Sequence, residues 1–348
     1  MATDPDENSL PGVSYIMPVL NEVAHVRAAI DSLLAQDYAG PFEVTVALGP
    51  SDDGTTELLA EMKAADPRIS VVENAAGSTP AGLNLAINAS SLPVVVRVDA
   101  HSVLPVDYTR IAVETMLRTG ADNVGGIMDA QGITPFEQAV ARAYGSRIGL
   151  GGTKLHLGGE EGPAETVYLG VFRRESLMAA GLFDEGIRRG QDWELNRRIR
   201  ESGGTVWFTP SLQVVYRPRP RLRDLAKQFF STGVWRGELA RRYTTSNSIR
   251  YFAPPVLVVA LVLGLLFGIA GVAQALTGAA PWMLLGFTVP AAYVIGIVVA
   301  TLLVTRGLGP RASAWFLIVL PTIHFCWGIG FILGALSLAR DLENYTGR

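Results

Sequence analysis

The chain has 348 residues, of which 49% are hydrophobic and only 18% are charged, and its net charge is −3. This length suits one large domain or two smaller units. The single cysteine, Cys326, excludes disulfides and cysteine-rich metal sites. The polar, acidic start of the chain predicts no signal peptide, and residues 1–11 are expected to be disordered.

Short apolar runs alternate with helical patterns between residue 13 and about residue 215. Strands are predicted at 13–20, 42–48, 69–73 and 94–98, and helices at 21–36, 55–65 and 79–89. Asn21 is expected to cap the first of these helices. The alternation predicts a mainly parallel sheet with helices on both faces. Ligands bind such sheets at the carboxyl ends of the strands. The polar residues at those ends are Asn21, Glu22, Ser51, Asp52, Asp53, Asp99 and His101.

The fourth predicted strand ends in the sequence VVVRVDAH, which carries three polar residues close to the ligand edge. Asp99 suits a hard divalent cation, which binds one or two carboxylates together with substrate phosphates. Arg97 and His101 lie on the same side of an extended chain as Asp99. His101 can be a second metal ligand or a partner of a phosphate, and Arg97 can pair with a phosphate. In the alternative reading, His101 only caps a loop and Asp99 pairs with Arg97.

The sequence GQDWEL, which begins at Gly190, predicts the start of a helix. An acid near a helix N-terminus is stabilised by the helix dipole, so Asp192 is expected to be ionised. An ionised carboxylate at a ligand edge is a candidate general base. Asp192 can instead be an ordinary acid in a first helical turn, and Glu194 is a rival base.

The last third of the chain carries the membrane signals. Between Arg217 and Arg250 there are nine basic and two acidic residues, interspersed with aromatic ones. Such a segment suits a helix in the membrane interface, attracted to anionic headgroups. From Tyr251 to Thr305, and again from Ala312 to Ala339, there is no Asp, Glu, Lys or Arg. A span needs about 20 apolar residues, so three transmembrane helices are predicted at about 252–276, 281–304 and 312–338. Basic flanking residues place residues 1–250 in the cytoplasm and the tail outside.

Four segments of this sequence together resemble family 2 glycosyltransferases. They are Pro18-Val19-Leu20-Asn21-Glu22, the stretch from Ser51 to Thr55, Arg97-Val98-Asp99-Ala100-His101, and Gln191-Asp192-Trp193-Glu194. The resemblance is greatest to the membrane-anchored branch that includes succinoglycan-type exopolysaccharide glucosyltransferases, in which Asp-Ala-His replaces Asp-x-Asp. It covers about residues 12–240 and, with the apolar tail, nearly the whole chain.

The resemblance implies an α/β fold of the GT-A type, a nucleotide-sugar donor, Mg²⁺ or Mn²⁺ on its diphosphate, and inversion at the sugar carbon. Carried over by position, the resemblance places Pro18, Asn21 and Glu22 in the nucleotide pocket and places Asp53 and Asn84 near the base and ribose. It assigns the metal ion to Asp99 and His101. It makes Asp192 the base that deprotonates the acceptor. The resulting domains are 1–11 (disordered), 12–216 (cytoplasmic GT-A catalytic domain), 217–250 (basic amphipathic interfacial segment), 251–339 (three membrane helices) and 340–348 (tail).

Two departures from the family pattern bear on specificity. The family usually has an acid at the end of the second strand, but Leu48 stands there, which leaves the nucleotide base open, with UDP favoured. The processive synthases carry Gln-x-x-Arg-Trp, whereas this chain has Gln228-Phe229-Phe230-Ser231-Thr232. One sugar is therefore expected per encounter.

The leading interpretation is an inverting glycosyltransferase of the inner (plasma) membrane. It would transfer one sugar from a nucleotide-sugar donor in envelope or exopolysaccharide synthesis. Its partners are membrane lipids, the nucleotide sugar and a polyprenyl-diphosphate-linked saccharide acceptor, and no nucleic acid is expected because the basic segment adjoins the membrane. One alternative is transfer to polyprenyl phosphate itself. A second alternative is a catalytically silent membrane scaffold, against which both Asp99 and Asp192 are present.

Overall fold

The computed structural model describes residues 10–244 and 248–346, so most of the predicted disordered N-terminus lies outside the described residues. The strands are β1 (Val13–Val19), β2 (Phe42–Leu48), β3 (Ile69–Glu73), β4 (Val94–Arg97), β5 (Asn123–Ala130), β6 (Gly162–Pro163), β7 (Tyr168–Arg173) and β8 (Val206–Tyr216). The helices are α1 (Val26–Leu34), α2 (Thr55–Ala65), α3 (Thr79–Ala89), α4 (Tyr108–Thr119), α5 (Pro135–Tyr144), α6 (Arg147–Leu150), α7 (Lys154–Leu157), α8 (Arg174–Ala179), α9 (Gln191–Glu201), α10 (Leu222–Arg242), α11 (Ala253–Leu276), α12 (Thr288–Val304) and α13 (Pro310–Ala335).

The chain divides into two compact units. The first comprises Met1–Asp129 and Thr153–Tyr216, and the second comprises Ala130–Gly152 and Arg217–Arg348. The predicted sheet lies in the first unit, and the apolar helices lie in the second. The second unit also takes α5 and α6 from the middle of the predicted catalytic domain.

The sheet has the strand order β3-β2-β1-β4-β7-β5-β8-β6. As predicted, its first four strands are parallel, because β1 pairs in parallel with β2 and β4, and β2 with β3. Strand β7 is antiparallel to β4 and β5. One face of the sheet packs against α1, α2 and α4, and the other packs against α3, α8 and α9. The parallel part explains why the polar residues after β1, β2 and β4 reach one edge.

Helix α1 begins later than the sequence predicts, at Val26, and His25 rather than Asn21 occupies its N-cap position. Asn21 has a left-handed backbone with φ of 54°. Its N–H donates to Ser51 Oγ, and the N–H of Glu22 donates to Thr55 Oγ1. These bonds to the loop after β2 and to the first residue of α2 keep residues 21 and 22 out of the helix. A local capping pattern could not reveal this, because the competing acceptors lie about 30 residues further along the chain.

Among its described residues, the second unit contains three helical segments long and apolar enough to span a membrane, at Ile249–Leu276, Trp282–Val304 and Pro310–Ala335. The predicted amphipathic segment forms α10, a helix of 21 residues. One face of α10 is buried, and α10 makes its most extensive packing contact with α13.

Candidate active site

The loops that follow β1 and β2 are joined by hydrogen bonds at the carboxyl edge of the sheet. Asn21 Oδ1 accepts from the N–H of Asp52 at 2.9 Å, in addition to the bonds that Ser51 and Thr55 accept from residues 21 and 22. Asn21 therefore shapes this edge through its backbone and its side chain. Its predicted contact with the nucleotide remains a prediction.

Asp53 contributes to the same junction. Its carboxylate accepts from the N–H of Val23 and from the N–H of Thr55, each at 3.1 Å. The hydroxyl of Thr55, which also donates to it, is the main cause of a lowered pKa at Asp53. Both carboxylate oxygens thus bind protein donors, so the structure gives Asp53 a role in holding the loop. Its predicted place near base and ribose stays a prediction.

A cavity of about 470 Å³ opens at the ends of β2 and β3. Leu48 and Glu73, which face each other in the strand register, both line it, together with Ser51 and Asn74. Asn74 is only 2% exposed, and its Nδ2 donates to the Ser78 carbonyl at 3.0 Å. Within the described residues, Asn74 Oδ1 has no hydrogen-bond partner. The end of β2 lacks the acid that the family usually has, but the neighbouring strand provides a carboxylate at the same level.

Two further predicted pocket residues contact α3 or belong to it. Pro18 packs against Gly82, where a methyl group on the glycine would lie 3.1 Å from the proline Cβ. Asn84 is buried, donates to the Phe183 carbonyl at 2.9 Å and accepts from the Phe183 N–H at 3.0 Å. It also donates to Glu185 Oε1 at 2.9 Å. Asn84 therefore fixes the segment that leads towards α9, and its expected contact with the nucleotide is untested.

Arg97 connects the two carboxylates that sequence reasoning singled out. It lies at the end of β4 with only 9% of its side chain exposed. Its Nη2 donates to Asp99 Oδ1 at 3.0 Å, and its Nη1 forms an ion pair with Asp192 Oδ1. Burial alone would lower the pKa of Arg97, but the attraction of Asp192 and Asp99 raises it, so the guanidinium stays charged. The alternative pairing of Asp99 with Arg97 is thus present, and it extends to Asp192.

Glu22 and His101 form a second link across the same edge. His101 Nδ1 lies 3.3 Å from Glu22 Oε1, which joins the chain after β1 to the chain after β4. Among residues 10–244 and 248–346, no group of three or more His, Cys, Asp or Glu side chains is arranged to hold a metal ion. One carboxylate and one imidazole still fit Mg²⁺ or Mn²⁺, because such ions complete their coordination with substrate phosphates and water.

Helix α9 carries Asp192 in its first turn, directly after Gly190, whose φ is 82°. The helix dipole stabilises a carboxylate at this position. About a third of the Asp192 side chain is exposed. Glu194 is instead buried and forms ion pairs with Arg198 at 2.7 Å and Arg197 at 3.3 Å. Of the two candidate bases, Asp192 is therefore the one that shares the edge with Arg97 and Asp99.

Sequence reasoning missed the residues that hold α9 in place. Asn196 is 1% exposed; its Nδ2 donates to Thr166 Oγ1 at 2.9 Å, and its Oδ1 accepts from Asn123 Nδ2 at 2.6 Å. These amides tie the helix to β5 and to the segment before β7. A possible signal was the position of Asn196, one helical turn after Asp192, but one amide at helical spacing is not specific.

A mixed sheet covered by helices, with carboxylates gathered at the ends of parallel strands, defines a glycosyltransferase fold of the GT-A type. The model for "Glycosyl transferase family 2" matches residues 14–181. The succinoglycan biosynthesis protein ExoA of Rhizobium meliloti is 30% identical over 346 residues, which cover 96% of this chain and 98% of ExoA. The chain therefore belongs to glycosyltransferase family 2, as its motifs predicted.

Two other similar proteins were found. The glycosyltransferase AglE of Haloferax volcanii is 26% identical over 224 residues, 64% of this chain and 72% of AglE. Mannosyltransferase PcManGT of Pyrobaculum calidifontis, solved with GDP-Man and Mn²⁺, has a TM-score of 0.63 at 20% identity, with 96% of this chain and 89% of that chain covered. This structural likeness confirms the predicted fold.

Proposed function

We propose that this glycosyltransferase moves one sugar from a nucleotide-sugar donor to a lipid-linked saccharide at the cytoplasmic face of the plasma membrane. The observation that carries the proposal is the buried Arg97, which bridges Asp99 and Asp192 at one edge of the sheet. It brings a carboxylate suited to a cation next to a carboxylate suited to proton removal. The name of the relative ExoA supports a role in exopolysaccharide synthesis.

The donor site is proposed at the carboxyl edge, with the base in the cavity at the ends of β2 and β3. The carboxylate of Glu73, which lines this cavity, can accept a hydrogen bond from a base N–H. Pro18, Asn21, Glu22, Asp53 and Asn84 form or support the rest of the pocket. We keep a UDP-sugar as the favoured donor, although PcManGT was solved with GDP-Man.

Asp99 and His101 are the residues proposed to hold Mg²⁺ or Mn²⁺ on the diphosphate. His101 is exposed at the edge of the sheet, and its imidazole and the carboxylate of Asp99 are groups that can bind these ions. When bound, the cation would offset the charge that develops on the leaving nucleoside diphosphate. The structure of PcManGT contains Mn²⁺, which supports a divalent ion in this protein.

Asp192 is proposed as the base for direct displacement. The acceptor hydroxyl attacks the sugar carbon, a new carbon–oxygen bond forms on one face, and the bond to the diphosphate breaks on the other. The hydroxyl proton passes to the Asp192 carboxylate, and the configuration at the carbon inverts. An alcohol is a weak nucleophile until a base takes its proton.

The acceptor side of the proposal concerns the second unit. Three apolar segments of 23 to 28 residues are long enough to enter a bilayer. The nine basic residues between Arg217 and Arg250 favour anionic headgroups. A polyprenyl-diphosphate-linked saccharide combines an apolar chain with an anionic head, and both would be accommodated at such a surface.

The test is to incubate membranes that contain the protein with a panel of UDP-, GDP- and dTDP-sugars and to analyse the lipid extract by mass spectrometry. We expect one donor to add a single hexose mass to a lipid-linked saccharide, with loss of the product in Asp192→Asn and after chelation of divalent ions. A product on bare polyprenyl phosphate would support the alternative acceptor. Absence of donor binding and of any product would favour a silent scaffold.

A further inference from the structure

Helix α13 is apolar enough to span a membrane, but one of its faces packs against helices that are not. Near its start, the Trp315 ring packs edge-on against Phe136 of α5, with centroids 5.2 Å apart. In its middle, His324 Nε2 donates to the Ile148 carbonyl of α6 at 2.7 Å. Polar, non-spanning segments therefore accompany this helix from its first turns to its centre.

The C-terminal half of α13 lies directly against α10. A methyl group on Gly330 would lie 2.3 Å from the Phe230 carbonyl oxygen, and one on Gly334 would lie 2.0 Å from that of Val234. Reciprocally, a methyl group on Gly233 would lie 2.3 Å from the Trp327 carbonyl oxygen. Residue numbers rise in the same direction along α10 and α13 in these contacts, so the two helices run parallel. Their backbones are in contact.

Helix α10 cannot lie in the hydrocarbon. Its 21 residues include Arg223, Asp224, Lys227, Arg236, Glu238, Arg241 and Arg242. Charged residues at the centre of a bilayer are strongly unfavourable. Glu238, paired with Arg241 and Arg242 at 2.6 and 2.7 Å, lies beside Gly334 of α13. The part of α13 next to these ions must therefore lie at the same shallow depth.

The chain that follows α13 returns to α10. Trp235 Nε1 donates to the Tyr345 carbonyl at 3.0 Å, and the rings of Tyr345 and Phe230 have centroids 6.0 Å apart. A hydrocarbon core about 30 Å thick cannot separate segments in contact. The residues around Tyr345 thus lie on the same side of the membrane as α10.

We infer that α13 does not cross the bilayer but lies in the plane of the membrane interface, with lipid as the partner of its outer face. The buried face of α13, which includes Ala312, Phe316, Ile323 and Gly334, packs within the unit. Away from that face, α13 exposes Leu317, Ile318 and Ile329, between 41% and 47% each. Of the helices in the described part of the chain, only α11 and α12 then cross, and the tail is cytoplasmic rather than external. This inference rests on the membrane location proposed above.

The test uses single cysteines on a Cys326→Ser background and a membrane-impermeant maleimide. Arg340→Cys reports the tail, Ala279→Cys reports the turn between α11 and α12, and Glu114→Cys reports the catalytic unit; all three positions are exposed. Labelling is compared between spheroplasts and inverted vesicles. We expect Arg340→Cys and Glu114→Cys to be labelled in inverted vesicles only, and Ala279→Cys to be labelled in spheroplasts.

Labelling of Arg340→Cys together with Ala279→Cys would overturn the in-plane placement of α13 and restore three crossings. Extraction of the protein by alkaline carbonate would contradict the membrane location itself, and this inference with it. The two failures are therefore distinguished by the fraction in which the protein is found. A protease-sensitive tag after residue 348, cleaved only in inverted vesicles, provides an independent measurement of the same topology.

Discussion

At the scale of a single residue, the partners of Arg97 separate two interpretations of the site. Arg97 either binds a phosphate of the donor or holds two carboxylates in position. From the sequence, Arg97 was expected to bind a phosphate of the donor. In the structure its guanidinium binds Asp99 and Asp192, which lie on different elements. The planar fork of arginine can hold two carboxylates at once, whereas the ammonium of lysine is a point donor. Arg97 therefore sets the distance between the proposed metal ligand and the proposed base.

We predict that Arg97→Lys lowers kcat by about tenfold or more, since a misplaced group costs that much in rate, and leaves the KM for the donor nearly unchanged. Steady-state kinetics with varied donor concentration provide the measurement. Arg68→Lys is the matched control, because Arg68 forms an exposed pair with Asp66. A raised donor KM at unchanged kcat would support the phosphate-binding role instead.

The choice between Asp192 and Glu194 as base leads to a second prediction. Asp192→Asn should lower kcat of the folded protein by about 10²–10⁴-fold, the usual contribution of a general base, and should also lower the melting temperature, because it removes one partner of the buried Arg97. Glu194→Gln should lower the melting temperature, because it weakens a buried ion pair with Arg198. Its folded fraction should retain turnover. If Glu194→Gln abolished turnover in the folded protein and Asp192→Asn retained it, Glu194 would be the base.

At the scale of elements, the sequence predicts the parallel part of the sheet well. The bounds predicted for β2, α2, β3 and α3 match those of the structure, because turn residues and apolar periodicity agree there. The pairing of Asn84 with Phe183 could not be predicted, since 99 residues separate them. The same limitation hid the link from Arg97 to Asp192. Motifs identify residues at one edge, but their partners depend on tertiary packing.

The pairing of α10 with α13 leads to a prediction at the same scale. Gly334→Ala should lower the thermal stability in detergent, because its methyl group would meet the Val234 carbonyl oxygen at 2.0 Å. Gly296→Ala in α12 is the matched control, since its added methyl group would meet no atom within 4 Å apart from its chain neighbours and the backbone of its own helix. Alanine favours helix over glycine by about 1 kcal/mol, so this control should be neutral or stabilising. Equal melting temperatures for both variants would contradict the close contact.

At the scale of the whole molecule, the two units are not consecutive along the chain. Residues 130–152 belong to the second unit although they interrupt the first. This division could not be predicted from the sequence, because the apolar face of α5 looks like that of any helix that covers a sheet. In the structure, Phe136 contacts Trp315, and Tyr144 contacts Phe229 and Gln228. A boundary drawn at Tyr216 therefore removes the partners of α5.

We predict that a chain ending at Tyr216 aggregates, because it exposes the buried face of α5, which includes Phe136, Val140 and Tyr144. Exposed apolar patches of this kind promote association. The same truncated chain with Phe136→Gln, Val140→Lys and Tyr144→Gln should be monomeric, as measured by size-exclusion chromatography with light scattering. It should still bind the donor, because the residues proposed to contact it all lie in the first unit. A soluble, monomeric chain ending at Tyr216 without these changes would show that α5 does not depend on the rest of the second unit.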